Sequence, residues 1–272
     1  MKTRAPASRL MLRAVALLIY IFMLGPILIT AAASFNRSDR SYFPPHGLSL
    51  HWWGAAFAPQ WTGAFAFSLE LASISALATT IAGLPLALAL HRYNFRGKQF
   101  IQALTMGPLV LPSLVTGIAL LQFMTLAGLG SWIGFPALVI GHIVICLPFS
   151  IRTISVSLKT IPGHAEQAAA SLGAGPLDVL REVTLPLARA GIGAGMIFAF
   201  ISSFDDLNLS LFVASPQERP LTVQIMQFLE YGFSPTLAAI SILSMLVPLT
   251  LVAIFGRFVG IGGFLQQERG HA

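Results

Sequence analysis

The chain has 272 residues, 56% of them apolar and only 10% charged, with a mean hydropathy of +0.79. Soluble domains carry about a quarter charged residues, so this is the composition of a membrane protein; at roughly 20 apolar residues per span, the length accommodates about six helices and one moderate loop but no large soluble domain. The net charge of +6 does not point to nucleic acid, because the basic residues gather at the ends of apolar runs, where they set topology.

In chain order, a basic arm (1–11) precedes a first apolar run over about 12–34 that ends in Ala31-Ala32-Ala33. Cleaved signal peptides share that pattern, but their apolar core is about 7–15 residues long. This run is longer and contains Gly25-Pro26, so a retained span is expected. Residues 35–62 then bring Trp52, Trp53 and Trp61 close to the next span. Such rings prefer the headgroup level, so an interfacial belt is expected, with ligand stacking as the alternative. The second span covers about 63–90 and ends in the basic loop HRYNFRGK.

The third span, about 99–126, contains Pro108, Pro112 and Gly117, which should kink or break it. A break at membrane depth is tolerated only where protein or a water-filled cavity satisfies the freed backbone, which makes this span a candidate cavity wall. Span four covers about 133–151 and contains the single cysteine, Cys146, so no intrachain disulfide is possible. A polar loop (152–188) follows, then span five (about 189–213), an outer loop, span six (about 236–258) and a tail (259–272). Counted by side, thirteen Lys and Arg fall with the termini, the 91–99 loop and the stretch from Arg152 to Arg189, and three with the opposite face. That asymmetry places both termini and the 152–188 loop in the cytoplasm.

Within the loop, Gly163 to Leu172 is rich in alanine, a strong helix former, and Gly173 to Gly175 stops it. Pro176 suits a first helical position with Asp178 in the first turn, and Pro186 closes the second helix. Two short helices joined by a bend, with a small-residue face, are a surface for a partner to grip.

The segment resembles the EAA loop of ABC-transporter inner-membrane permeases: Glu-Ala-Ala, three residues, Gly, nine residues, an aliphatic residue, any residue, Leu-Pro. Ala168, Ala169, Gly173, Val183, Leu185 and Pro186 occupy matching positions, while the acidic position holds Gln167, with Glu166 one residue earlier. Which of Glu166 and Gln167 does the acidic work is open. The resemblance implies an all-α, six-span permease of the type I importer fold in the bacterial inner membrane. It also implies a coupling helix docked on an ATPase dimer, a second permease subunit (identical or different) and an extracytoplasmic binding protein. No phosphate-binding loop is present, since Gly97-Lys98 is followed by Gln99 and lacks the upstream glycine. ATP and Mg are therefore expected on the partner, with no cofactor, metal or catalytic residue in this chain.

Ionisable groups inside spans cost about 2.5–3.5 kcal/mol each on insertion scales and so suggest function. Glu70 in span two and Asp205 and Asp206 in span five fall in the outer half of the bilayer. They either form an acidic mouth that attracts a cation or pair with polar groups on a neighbouring span or subunit; both readings stay open. SFDDLNLSLFV (203–213), which includes Asn208, resembles the fifth-span segment of spermidine and putrescine permeases, as do HRYNFRGK and PLVLPSLVTGIALL. Polyamine permeases tend to have an acid where this chain has Ser113, and related permeases carry other small nitrogen compounds and aminophosphonates. An intramembrane protease is disfavoured because adjacent aspartates on a helix point about 100° apart, and His142 in span four has no evident partner in sequence. An ion-driven carrier has no need of the 166–186 loop.

Overall fold

The structure, a computed structural model, describes residues 6–39 and 43–259. Among the described residues the regular elements are all helices, with one isolated antiparallel bridge between Asn36 and Leu48. Five helices are long and apolar enough to cross a membrane, and six when one bent pair is counted as a span. By contact the chain divides into two compact units, Met1–Thr62 with Ile225–Val247, and Gly63–Gln224 with Pro248–Ala272.

In the first unit, α1 (Pro6–Ser34) is apolar and exposed along most of its length, with Leu18, Phe22 and Leu28 all uncovered. An apolar helix so exposed is stable only in lipid or against another subunit. Beyond it, the fully buried Asn36 accepts hydrogen bonds from the N–H groups of Ser38 and His46, folding the chain back before α2 (His51–Ala55). Trp52 and Trp53 are half-buried. Trp61 departs from the expected belt: it is only 4% exposed and packs on Phe228 with ring centroids 4.6 Å apart.

The second unit holds most of α3 (Pro59–Arg92), then α4 (Lys98–Val110), α5 (Ser113–Leu126) and α6 (Phe135–Thr160). The polar loop contributes α7 (Gly163–Ser171), α8 (Pro176–Asp178) and a π-helical turn (Val179–Thr184) that runs into α9 (Leu185–Phe204). After α9 come α10 (Ser210–Val213), α11 (Leu221–Leu229) and α12 (Pro235–Val259). The stretch expected as the third span is α4 plus α5, bent by 107° at Leu111-Pro112. The cause is local: Pro112 donates no hydrogen bond and pushes Leu111 out of helical geometry, to ψ 133°. The stretch expected as span five likewise stops at Phe204, so Asp205 and Asp206 lie in a turn rather than inside a helix.

The most extensive helix packing within this unit is between α6 and α9. Ala188 and Ala199 of α9 are fully buried, and a Cβ on Gly195 would sit 2.6 Å from Thr153 Oγ1. Small residues at four-residue spacing, here Gly191, Gly195 and Ala199, let two helices approach closely in a membrane, where packing rather than hydrophobicity holds helices together. At the other end, Leu209 is fully buried within a core formed with Leu71, Met124, Ala137, Leu138 and Val213. A Cβ on Gly117 would lie 2.9 Å from the Leu209 Cα, so α5 meets the turn after α9 backbone to backbone. Glu218 accepts the Phe135 N–H at 2.8 Å and so caps the start of α6 from a distant loop.

Candidate functional site

Two groups of polar side chains stand out in the second unit, one in the 161–186 loop and one beyond the end of α9. In the loop, α7 ends at Gly173 with φ 91°, a value that favours glycine. The N–H groups of Gly173 and Ala174 return to the carbonyls of Ala170 and Ala169, the paired bonds that close a helix with a glycine terminus. The Gly175 N–H donates to the Asp178 carboxylate at 3.2 Å, which starts α8 in the same way from the other side. Leu172, at the tip of the bend, is 89% exposed.

The helical phase of α7 separates two faces. Ala165, Glu166 and Ala169 are half-buried, whereas His164, Gln167, Ala168, Ala170 and Ser171 are exposed. Glu166 turns toward the protein, and its Oε1 accepts from the Arg92 guanidinium at the end of α3. The same oxygen accepts from the Thr184 hydroxyl at 2.6 Å, and Arg92 Nη2 also donates to Thr184 Oγ1 at 2.6 Å. Partial burial acts to raise the Glu166 pKa, but the hydrogen bonds from Thr184 and Arg92, with the charges of Arg92 and His91, outweigh it and hold the carboxyl below the usual carboxylate range. Val183 and Leu185 flank Thr184 and are half-buried; Pro186 is exposed at the start of α9. Pro186 has no N–H to give and its ring disfavours an α turn before it, which accounts for the wider π turn at this point.

Beyond α9 the expected trio of carboxylates separates. Asp206, with its side chain 7% exposed, accepts from the N–H groups of Leu209 and Ser210, both at 3.1 Å, and from the Ser210 hydroxyl at 3.2 Å. His142, fully buried, has its Nδ1 2.6 Å from Ser203 Oγ and its Nε2 3.0 Å from Ser210 Oγ. Since Ser210 donates to Asp206, it accepts from the Nε2–H of His142, and Ser203 donates to Nδ1. His142 therefore has partners after all, from a turn more than sixty residues away in sequence. This is not a hydrolytic triad: Asp206 lies 3.8 Å from the same ring nitrogen that faces Ser210, and His142 and Ser210 are fully buried. The arrangement pins α10 to α6.

Asp205 and Asn208 are exposed on that turn, Glu70 is exposed on α3, and Ser113 is half-buried at the start of α5. Glu70 and Asp205 make no side-chain hydrogen bond or ion pair among the described residues. Separately, α6, α9 and Phe255 line a groove of about 630 Å³ whose walls include Phe149, Val156 and Phe198, with Arg152 its one charged group.

Arg92, Thr184, Ser203 and Ser210 were missed from sequence. Arg92 reads as a topology charge at a span end, and Thr184 occupies the motif position that accepts any residue. Only the fold brings either of them to Glu166.

Residues 79–260 match the family described as "Binding-protein-dependent transport system inner membrane component". The chain is 33% identical over 244 residues to the spermidine/putrescine transport system permease protein PotC of Escherichia coli strain K12, covering 86% of this chain and 88% of that protein. It is 31% identical over 269 residues to the putrescine transport system permease protein PotI of the same strain, covering 96% and 91%. Its fold is similar to a chain of a bacterial ABC transporter involved in the import of the acidic polysaccharide alginate, with a TM-score of 0.69 at 18% identity over 94% of this chain and 99% of that one.

Proposed function

The chain belongs to the family of binding-protein-dependent transport inner membrane components, and from that premise we propose which solute it carries and how it is driven. It is a multi-pass permease subunit of an ABC importer, a transport component of the inner membrane rather than an enzyme. The solute we propose is a small cationic nitrogen compound of the polyamine kind, delivered by an extracytoplasmic binding protein. It moves by alternating access coupled to a separate ATPase dimer that binds ATP and Mg, with a second permease subunit completing the path.

The observation that supports a cationic solute is the exposure of Glu70 and Asp205 without partners among the described residues. An unpaired carboxylate at membrane depth is costly unless a cation or water meets it. The α6/α9 groove supports no such solute, being apolar with only Arg152 charged. Ser113 favours a second reading within the same transporter class. With a neutral hydroxyl where polyamine permeases tend to have an acid, the path also suits a less cationic solute, such as an aminophosphonate or an amino-acid derivative.

Vesicles containing the complete complex, loaded with ATP on the ATPase side, test these readings. Uptake of labelled spermidine that competes with putrescine and is lost without ATP supports the first. ATP-dependent uptake of 2-aminoethylphosphonate instead supports the second, and uptake driven by an ion gradient alone would overturn both.

A further inference from the structure

We propose that Arg92, Glu166 and Thr184 form a lock that carries motion between the polar loop and two membrane spans. Glu166 is its positioning residue, and Gln167 is the side chain that the loop offers to the ATPase. This rests on the permease reading above and assigns a division of labour within it.

Helical phase is the first ground. Neighbouring residues on a helix point about 100° apart, and here the inward direction falls to Glu166 and the outward one to Gln167. A subunit approaching the exposed face of α7 meets His164, Gln167, Ala168, Ser171 and Leu172. It does not meet the Glu166 carboxylate, whose Oε1 is already engaged twice. Turning Glu166 outward would strip the acceptor from the Arg92 guanidinium and from the Thr184 hydroxyl. Thr184 is 1% exposed, so water does not replace the lost bond, and the hydroxyl is left with only its longer bond to the Val179 carbonyl at 3.3 Å in place of a charge-assisted one.

The second ground is how α7 is attached. Its two backbone links are both non-helical: Ile161-Pro162 is extended, with ψ of 123° and 125°, and the other link passes through the left-handed Gly173 and the extended Gly175. Links of that kind are hinges and transmit a push poorly. The lock bypasses both, joining α7 sideways to the last turn of α3 and to the π turn that opens α9. An arginine suits this place better than a lysine, because the planar guanidinium reaches Glu166 and Thr184 together. The lowered pKa of Glu166 keeps the lock charged at neutral pH.

The complete complex, isolated from its native membrane by a tag on this chain, provides the test. The readouts are retention of the ATPase, its rate of ATP hydrolysis, and the ATP-plus-vanadate change in maleimide labelling of Val110→Cys. Val110 is 83% exposed beside the α4/α5 break, and the native Cys146 is buried. Glu166→Gln and Thr184→Val should each leave the ATPase bound and hydrolysing while the labelling change shrinks at least about fivefold, the low end of allosteric couplings. Arg92→Lys should fall between these and the unaltered chain, and Arg92→Glu with Glu166→Arg should recover part of the change. Gln167→Ala should instead weaken ATPase retention. Loss of the ATPase from Glu166→Gln, or a full labelling change in that variant, would overturn the lock. Absence of any ATPase on the unaltered chain would overturn the permease coupling itself, a different result from either.

Discussion

At the scale of single residues, the positions that matter most differ in what they oppose. Gly173 has open space around it but a φ of 91°, so Gly173→Ala should cost about 1 kcal/mol through backbone strain alone. Gly173→Asp adds a charge to the bend and should abolish ATPase retention while membrane insertion, followed by alkaline extraction, stays normal. Asp205 and Asp206 are adjacent yet not equivalent. Asp205→Asn should lower uptake of a cationic solute with little effect on the melting temperature of the complex. Asp206→Ala removes a buried acceptor of three hydrogen bonds and should destabilise by about 1–3 kcal/mol, seen as a lower melting temperature. Sequence could not separate the two, because burial depends on the turn after Phe204. Glu166 gives a pH dependence of definite sign. Its folded pKa is depressed, so its stabilisation is complete above the ordinary carboxylate value of about 4.3 and is lost as pH falls from there to the lower folded value. Glu166→Gln should flatten the melting temperature of the complex across that acid range.

At the scale of elements, hydropathy made the spans legible, since a run of about 20 apolar residues has few other fates. The breaks were less legible. Prolines flagged the region of α4 and α5, but a bend of 107° reflects what the rest of the unit packs against it, as the meeting of Gly117 with Leu209 shows. The motif glycines and alanines of the loop were read correctly as a helix and a bend, but Pro186 does not close the second helix: the chain passes from α8 through the π turn straight into α9, with Pro186 in its first turn, so the proline widens the helix where it was expected to end it. The α6/α9 contact yields a further expectation: Gly195→Val must displace Thr153 or the backbone near Ser150. Overpacking of that kind costs about 1–3 kcal/mol, and the variant should melt lower while inserting normally.

At the scale of the whole molecule, the thirteen-to-three distribution of Lys and Arg predicts the side on which each loop lies. Alkaline phosphatase fused after residue 46 or residue 217 should be active, and the same enzyme fused after residue 97 or residue 164 inactive. Activity at 164 would place the polar loop on the wrong side for an ATPase. The π turn at Val179–Thr184 has a consequence for register along the chain. A π turn amounts to one residue more than an α-helix needs, so removing one, such as the exposed Arg181, should tighten the link between α8 and α9 to α-helical pitch, against the resistance of Pro186. Everything before it would then be rotated by about 100° relative to α9. Thr184 would no longer face Glu166. A one-residue deletion is thus expected to give a chain that inserts and hydrolyses ATP through its partner without carrying solute, so the apparent irregularity works as a phase setting between the loop and the spans.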